Sequence, residues 1–424
     1  MAQTTLPAPG GLSTSADQLR LAITDRLVGV KPYILVGQLY LFLALLFTFG
    51  AVQGQIDVND KYFVMIGIIG CSTVLIAPRH SLRHVFVSLP LLLLYTYLIC
   101  SVAWVTGSMP YRSAFQEQIP IVVATTFVAS LVPFDKILQS LKAGFIFGIL
   151  FSFYALIVNP ASRIHEVDAT TTFSGWRGAF LHKNALVPFL VLAAVTFIIF
   201  ERRRWLRNLV VIGAIVLTIG SQSATGMSSV IVVICVAWWL NAYLKQDLRL
   251  SGSYIALSLF GAVVLAVVIT VLLPWMVNLY GKDLTFTNRT DIWSASVDVI
   301  GDSPWIGYGW NGVWIEPNVE PTVTLDRETG FEAGHAHNVV LEMLLEGGVV
   351  GLVLYLAFFG SVGIAAWHAL RTHPDIARWV LLFLAIQAVV GVSEVTLFHG
   401  WIFMLVLMRG ILGNQLSTTA RAHV

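Results

Sequence analysis

The sequence is dominated by apolar runs that are long enough to cross a membrane. A helix needs about 20 apolar residues to span a bilayer, and runs of this kind recur along nearly the whole chain. Charged residues make up only 11% of the 424 residues, compared with about 25% in a soluble domain. A soluble globular protein is therefore excluded, and the sequence predicts an all-α polytopic membrane protein.

About twelve transmembrane helices are predicted. They cover approximately residues 33–52, 62–78, 85–104, 119–134, 141–158, 184–200, 208–221, 227–244, 254–273, 339–366, 378–393 and 396–412. No linker or repeat divides the chain, so we expect one integral membrane domain over residues 1–424. Residues 1–32 form its N-terminal segment and residues 413–424 its tail, and residues 274–337 form a large loop between the ninth and tenth spans.

The basic residues predict the orientation of these spans. Cytoplasmic loops of membrane proteins carry an excess of Lys and Arg. With both termini in the cytoplasm, 17 of the 25 basic residues lie inside and 8 outside. The sequence has no apolar segment of the signal-peptide type before the first span, and its three cysteines form no Cys-x-x-Cys pair. We therefore expect both termini in the cytoplasm and the large loop on the opposite, outer side of the membrane.

The basic residues on the outer side oppose this trend. Most of the eight lie in or beside the two long polar interruptions, 159–183 and 274–337, among them Arg163, Arg177, Lys183, Lys282 and Arg289. Loop solubility or anchoring at the membrane interface explains any one of them equally well. As a group they indicate an anionic ligand at the outer membrane boundary.

Two motifs place such cations at the start of a helix. In "FSGWRGAFLHKNAL", Arg177, Lys183 and Asn184 come just before the sixth span, and a helix N-terminus attracts anions. In "TNRTDIW", Arg289 opens a short predicted amphipathic helix, and its planar fork of donors suits phosphate oxygens. Both remain compatible with simple anchoring at the interface.

The stretch "GHAHNVVLEMLLEGGVVG" places a polar cluster at the entrance of the tenth span. His335 and His337 do not have the i, i+4 spacing of a helical metal pair, and no further Cys or His completes a zinc set. A structural histidine and a general base are the two alternatives, and a helix N-terminus with nearby arginines favours the neutral imidazole that a base requires. Glu342 and Glu346 share one helix face and are expected to bind sugar or to pair with the outer cations.

These motifs together resemble the O-antigen ligase and Wzy-type O-antigen and exopolysaccharide polymerase superfamily. The elements are "GAFLHKNAL", "NRTDIW", "SPWIGYGW" and "HAHN" followed by "GGVVG", in the family's order, over roughly residues 170–410. The resemblance implies a GT-C-type membrane glycosyltransferase fold. It also implies transfer of a glycan from undecaprenyl diphosphate to an acceptor hydroxyl on the periplasmic side, without metal or cofactor.

The resemblance also assigns roles to particular residues. His337 would be the catalytic base, and Arg289 would bind the diphosphate. Arg177, Lys183, Asn184, Asn338 and Thr225 are the other residues expected to bind substrate. The expected partners are the lipid-linked donor, a glycan or lipid A core acceptor, membrane lipids and a polysaccharide assembly and export pathway. No nucleic acid is expected.

One element departs from the ligase pattern. Ligases carry an arginine between the seventh and eighth spans, whereas "SQSATGMSS" has Thr225 and no arginine. We therefore expect a polymerase of lipid-linked repeat units, and a ligase that transfers glycan to lipid A core is the alternative. A twelve-span transporter or flippase is the rival from another class, but such proteins usually show repeated halves and polar sites at the membrane midplane.

Overall fold

The fold is all-helical in the part of the chain that the structure describes. This computed structural model describes residues 31–51, 60–82, 85–105, 116, 118–159, 175–246, 289–314, 320–330, 334–395 and 400–422. Its helices are α1 (Pro32–Thr48), α2 (Asp60–Ile76), α3 (Arg79–Leu82), α4 (Leu89–Ser101), α5 (Ile119–Leu131), α6 (Phe134–Val158), α7 (Lys183–Phe200), α8 (Arg204–Ser221), α9 (Ala224–Gln246), α10 (Arg289–Asp302), α11 (Thr322–Thr329), α12 (Val339–Ala369), α13 (Pro374–Gly391) and α14 (Gly400–Ala422).

Eleven of the twelve predicted spans coincide with a helix, and the predicted span 254–273 lies outside the described residues. Six of these helices are long and apolar enough to cross a membrane, namely α6, α7, α8, α9, α12 and α13. Five further apolar helices are shorter. A polytopic membrane protein is therefore supported, whereas the number twelve and the GT-C architecture stay predictions.

The helix starts follow from the local sequence. Helices α1, α4, α5 and α13 each carry a proline in the first turn, where its missing N–H leaves no helical hydrogen bond unmade. Helix α7 lies at the centre of the bundle and packs on α6, α8, α9 and α13. Inside this core, Trp379 Nε1 of α13 donates a hydrogen bond of 2.9 Å to Thr196 Oγ1 of α7.

Helix α12 is broken at Gly348, and a loop fills the break. Gly348 has a φ of +60° and a ψ of −163° inside an otherwise helical segment. Residues 304–309, which follow α10, supply the backbone partners that the broken helix lacks. The four hydrogen bonds are Val349 N to Pro304 O, Val350 N to Trp305 O, Tyr308 N to Leu345 O, and Gly309 N to Glu346 O, at 2.8 to 3.2 Å.

Glycine is required on both sides of this joint. A Cβ on Gly348 would fall onto the backbone of Trp305 and Ile306, and a Cβ on Gly307 would lie 2.6 Å from the carbonyl carbon of Glu346. Both glycines have a positive φ that L side chains rarely adopt. The motifs "GGVVG" and "SPWIGYGW" are therefore two halves of one structural joint, which fixes the loop after α10 to α12.

Candidate functional site

The carboxylate of Glu394 joins three polar side chains from three other parts of the chain. Its Oε1 lies 2.6 Å from Arg289 Nη2 and accepts a hydrogen bond of 2.7 Å from Asn184 Nδ2. Its Oε2 lies 3.4 Å from His337 Nδ1. The side chains of Arg289 and Glu394 are 12% and 18% exposed, and that of His337 is 30% exposed. The histidine and the arginine that the sequence predicts as functional thus meet at one sheltered carboxylate.

Asn184 is held from two sides. It is the second residue of α7, and its Oδ1 accepts a hydrogen bond of 3.1 Å from Ser223 Oγ in the turn between α8 and α9. The left-handed conformation of Gln222, with a φ of +51°, makes that turn tight. With its oxygen bound to Ser223 and its nitrogen bound to Glu394, the amide of Asn184 has one orientation.

Helix α10 reaches the site through two residues one turn apart. Arg289 and Trp293 are spaced i, i+4 and so lie on the same helix face. Arg289 binds Glu394, while Trp293 Nε1 donates a hydrogen bond of 3.0 Å to the carbonyl of Ala336. The predicted amphipathic helix after residue 288 is confirmed. It contacts both Glu394 and Ala336, the residue that precedes His337.

The backbone around His337 forms an unusual turn. His337 has a φ of +49°, which is uncommon for a residue with a side chain. Its own N–H donates to His335 Nδ1 at 3.2 Å, and the N–H of Ala336 donates to Glu342 Oε2 at 2.7 Å. These bonds hold the imidazole in front of Glu394 rather than on the surface of α12.

Asn338 and Thr225 bind the turn that carries Glu394. Asn338 caps α12 by accepting hydrogen bonds from two backbone N–H groups of its first turn, at 2.9 and 3.2 Å. Its Nδ2 donates to the carbonyl of Val392 at 3.2 Å. Thr225 Oγ1 and Ser393 Oγ are 2.7 Å apart. Both residues therefore position the Glu394 turn, and their expected contact with substrate stays a prediction.

The two remaining predicted cations lie on the segment that leads into α7. Arg177 Nη1 donates to the carbonyl of Leu181 at 3.2 Å. Lys183 is the first residue of α7 and is buried. Burial lowers the pKa of His182 between them, while the charge of Glu394 raises it and the charges of Arg177 and His337 lower it. His182 and Arg177 thus lie within electrostatic reach of the cluster, and the phosphate roles of Arg177 and Lys183 stay predictions.

The electrostatics favour a charged carboxylate on Glu394 and a neutral imidazole on His335. Burial alone would raise the pKa of Glu394, but the close contact with His337 and the charge of Arg289 outweigh it, so the pKa lies below its usual value. Burial, and then the neighbouring His337, lower the pKa of His335 to about 4. At neutral pH the site therefore contains one full negative charge, on Glu394, which is neutralised by Arg289.

The acidic residues of α12 do not have the contacts expected from the sequence. Glu342 and Glu346 share one helix face as predicted, but both are 1% exposed. Glu342 binds the backbone of Ala336 rather than an outer cation. Because this carboxylate lies below the histidine turn, it supports the site from within the protein.

One group in the described part of the chain has the donors for a metal ion. The ligand atoms of His335, His337 and Glu394 all lie within 4.8 Å of one another. The spacing of His335 and His337 in the sequence had not indicated a metal site, because the third donor, Glu394, lies 57 residues beyond His337.

Glu394 is the residue that sequence reasoning missed. It falls in the short gap between the predicted spans 378–393 and 396–412, where a single acidic residue is unremarkable. Its partners Asn184 and Arg289 precede it by 210 and 105 residues. One signal was available in the sequence. Acidic residues this close to membrane spans seldom lack a partner, so a partner for Glu394 could have been inferred.

Fold and site together define a polytopic helical membrane protein with a polar cluster between its helix ends. Residues 209–356 match the O-antigen ligase family. The chain is 25% identical over 387 residues to the exopolysaccharide production protein ExoQ of Rhizobium meliloti, covering 86% of this chain and 85% of the relative. It is 22% identical over 236 residues to an O-antigen ligase of Pseudomonas aeruginosa, covering 55% of this chain and 48% of the relative.

The resemblance inferred from the motifs is therefore confirmed. The family match includes Arg289 and His337, and the longer similarity extends over most of the helices. These relationships support a membrane enzyme of polysaccharide or O-antigen assembly.

Proposed function

We propose that this protein is a membrane glycosyltransferase that polymerises oligosaccharide repeat units linked to undecaprenyl diphosphate. The observation that carries the proposal is the meeting of His337, Arg289 and Asn184 at Glu394. The protein lies in the bacterial inner membrane with both termini in the cytoplasm, and the site faces the periplasm. The similarity over 86% of the chain to ExoQ, an exopolysaccharide production protein, supports a role in the assembly of exopolysaccharide or O-antigen.

In this proposal His337 is the general base. The acceptor sugar hydroxyl attacks the anomeric carbon of the donor, and its proton moves to the imidazole as the new glycosidic bond forms. Because His337 projects from a turn at the start of α12 and is 30% exposed, it can reach a bound sugar. General-base catalysis of this kind contributes about 10²- to 10⁴-fold.

Arg289 assists the departure of the lipid diphosphate. The bond between the anomeric carbon and the diphosphate oxygen breaks, and negative charge collects on the leaving group. The guanidinium fork can bind two phosphate oxygens at once, and Arg177 and Lys183 supply further positive charge. The outer segments contain no Asp-x-Asp motif, so these cations carry out the neutralisation in a reaction that needs no metal.

The alternative is a ligase that transfers a finished glycan to lipid A core. The family match and the Pseudomonas aeruginosa relative favour it. The turn between the seventh and eighth spans favours the polymerase. Ligases carry an arginine there, whereas this chain has Thr225, which binds Ser393. Both activities use the same base and the same donor, and they differ in the acceptor.

The test is chain growth by purified protein. Lipid-linked repeat units, supplied without lipid A, should yield a ladder of longer lipid-linked chains. Product that forms only after lipid A core is added, without chain growth, would identify the ligase instead. If neither product forms with active donor, the glycosyltransferase assignment is wrong.

The phosphate role is tested with matched arginine variants. Arg289→Ala should impair use of the donor, and Arg289→Lys should recover little because lysine lacks the bidentate fork. Arg327→Ala is the control, since Arg327 lies in the same loop but its side chain is 68% exposed. Equal rates for Arg289→Ala and Arg327→Ala would remove the phosphate role.

A further inference from the structure

His335 belongs to the Glu394 cluster, yet the proposed reaction gives it no task. Its ring centroid lies 3.9 Å from that of His337. Its Nδ1 accepts a hydrogen bond from the N–H of His337, so this nitrogen carries a lone pair rather than a proton. A neutral imidazole beside a second imidazole and a carboxylate is a combination that metal ions bind.

We propose that His335, His337 and Glu394 form a site for a transition-metal ion of the Zn²⁺ class, and that the bound ion inhibits transfer. The ligand atoms of the three residues lie within 4.8 Å of one another. The inhibition rests on the function proposed above, whereas binding of the ion does not depend on it.

The distance between His337 and Glu394 suits two ligands of one ion. Zinc bonds of about 2.0 to 2.2 Å in a tetrahedral arrangement place neighbouring ligand atoms about 3.4 Å apart. His337 Nδ1 and Glu394 Oε2 are 3.4 Å apart. The Nδ1 atom is buried and has no hydrogen-bond partner in the described part of the chain. An ion between the two atoms would satisfy both.

The two oxygens of Glu394 have separate partners. Oε1 is bound by Arg289 and Asn184, which leaves Oε2 for the ion. Arg289 and Asn184 would then orient the ligating carboxylate, as partners outside the ligand set do in metal sites. The fourth coordination position would be left to water or to a substrate oxygen.

The donor chemistry selects the kind of ion. Two imidazoles and one carboxylate suit Zn²⁺, Cu²⁺ or Ni²⁺ rather than Mg²⁺ or Ca²⁺, which require oxygen ligands. The charge of Arg289 repels a cation at Oε2. Binding through Nδ1 of His335 would also break the hydrogen bond of 3.2 Å from His337 N. We therefore expect a dissociation constant in the micromolar range.

The bound ion would block the reaction by occupying the base. A lone pair of His337 that ligates a metal cannot accept the proton of an acceptor hydroxyl. Inhibition would therefore be complete at saturating metal and would be reversed by a chelator.

The binding experiment uses full-length protein without a polyhistidine tag, stripped with EDTA. Calorimetry with Zn²⁺ and visible absorption with Co²⁺ should each give one site per chain, the latter with the strong bands of tetrahedral cobalt. His335→Asn and Glu394→Gln should each weaken binding by at least ~10-fold. His368→Asn is the control, because His368 is exposed near the other end of α12. Arg289→Gln should tighten binding because it removes the repelling charge.

Several outcomes would overturn the proposal. One is an equal Zn²⁺ affinity in His335→Asn, Glu394→Gln and His368→Asn. Another is a number of bound Zn²⁺ ions per chain that follows the total number of histidines. Activity that EDTA abolishes and Zn²⁺ restores would make the ion a catalytic cofactor instead of an inhibitor. If the ion binds with the expected pattern of variants but the protein shows no transferase activity, the site stands and the proposed function fails.

Discussion

The indole nitrogen of Trp293 donates a hydrogen bond of 3.0 Å to the carbonyl of Ala336, the residue that precedes His337. The N–H of the same Ala336 donates to Glu342 on α12. The residue beside the proposed base is therefore fixed at its N–H by one helix and at its carbonyl by another, which determines where the imidazole points.

Replacing Trp293 should move His337 without removing it. Trp293→Phe keeps an aromatic ring but loses the hydrogen bond to Ala336. A displacement of about 1 Å in a reacting group can lower the rate about 100-fold. We expect kcat to fall by about 10- to 100-fold while the donor KM changes little. Trp305→Phe is the control because that side chain is 69% exposed. Equal kcat values in the two variants would contradict the positioning role.

His337→Ala should leave a folded protein that binds donor but transfers slowly. We expect the rate to fall by about 10²- to 10⁴-fold, the usual contribution of a general base. His335→Ala should reduce the rate less in metal-free buffer, because His335 contacts the backbone of His337 rather than Glu394. Transfer rate and donor affinity should be measured for both variants. A near-normal rate in His337→Ala would mean that the histidine is structural.

The joint at Gly348 should tolerate no side chain. Gly348→Ala forces a Cβ against the backbone of Trp305 and adopts a φ and ψ that cost about 1–3 kcal/mol. We expect a lower melting temperature in detergent, or loss of folded protein. Gly360→Ala on the same helix meets nothing within 4 Å, and should be neutral or stabilising by up to about 1 kcal/mol. Similar melting temperatures in both variants would contradict the requirement for glycine at this joint.

A second ion pair predicts a pH dependence of stability. Lys142 Nζ lies 2.9 Å from Glu201 Oε2 at the end of α7. Burial alone would raise the pKa of Glu201, but the hydrogen bonds from Arg203 and Lys142 lower it overall. Because the folded-state pKa is depressed, this stabilisation is present above about pH 4.5 and is lost as the pH falls further.

Glu201→Gln should therefore lower the free energy of unfolding by about 1–3 kcal/mol at pH 7. The difference from wild type should shrink below pH 4.5, where the wild-type carboxylate becomes protonated. Asp135→Asn is the control, because its contact with Lys136 is 3.9 Å long and its side chain is 66% exposed. A constant difference across the pH range would mean that packing rather than charge stabilises this end of α7.

The orientation can be tested by labelling single cysteines in intact cells with an impermeant reagent. After Cys71, Cys100 and Cys235 are replaced by serine, Asp302→Cys should react from outside, and Arg371→Cys should react only after permeabilisation. Both positions are exposed in the structure. The reverse pattern would place the Glu394 cluster in the cytoplasm and would contradict a periplasmic transferase.

The helices were predictable because each depends on residues next to one another. Runs of apolar residues alone predicted the eleven spans that coincide with helices in the described part of the chain. His337 and Arg289 were also found, because each lies in a motif that marks the start of a helix. Both signals are local in the sequence.

The contacts at Glu394 and Gly348 were not predictable in the same way. Glu394 acquires its role only when α7, α10 and α12 converge on it, and each segment is apolar enough to pack in several ways. A glycine in an apolar membrane helix usually allows another helix to approach. The structure instead places a loop backbone against Gly348. Only the fold reveals that residues 304–309 supply the missing hydrogen bonds.

The position of Glu394 in the chain has a consequence for biosynthesis. A ribosome completes Asn184, Arg289 and His337 before it adds Glu394, because all three precede it in the sequence. Until the turn after α13 is inserted, the arginine has no carboxylate partner and the histidine has no neighbouring acid. A nascent chain therefore contains the base and the cation but not the residue that brings them together, and the site should become competent only after the turn that follows α13 has been inserted.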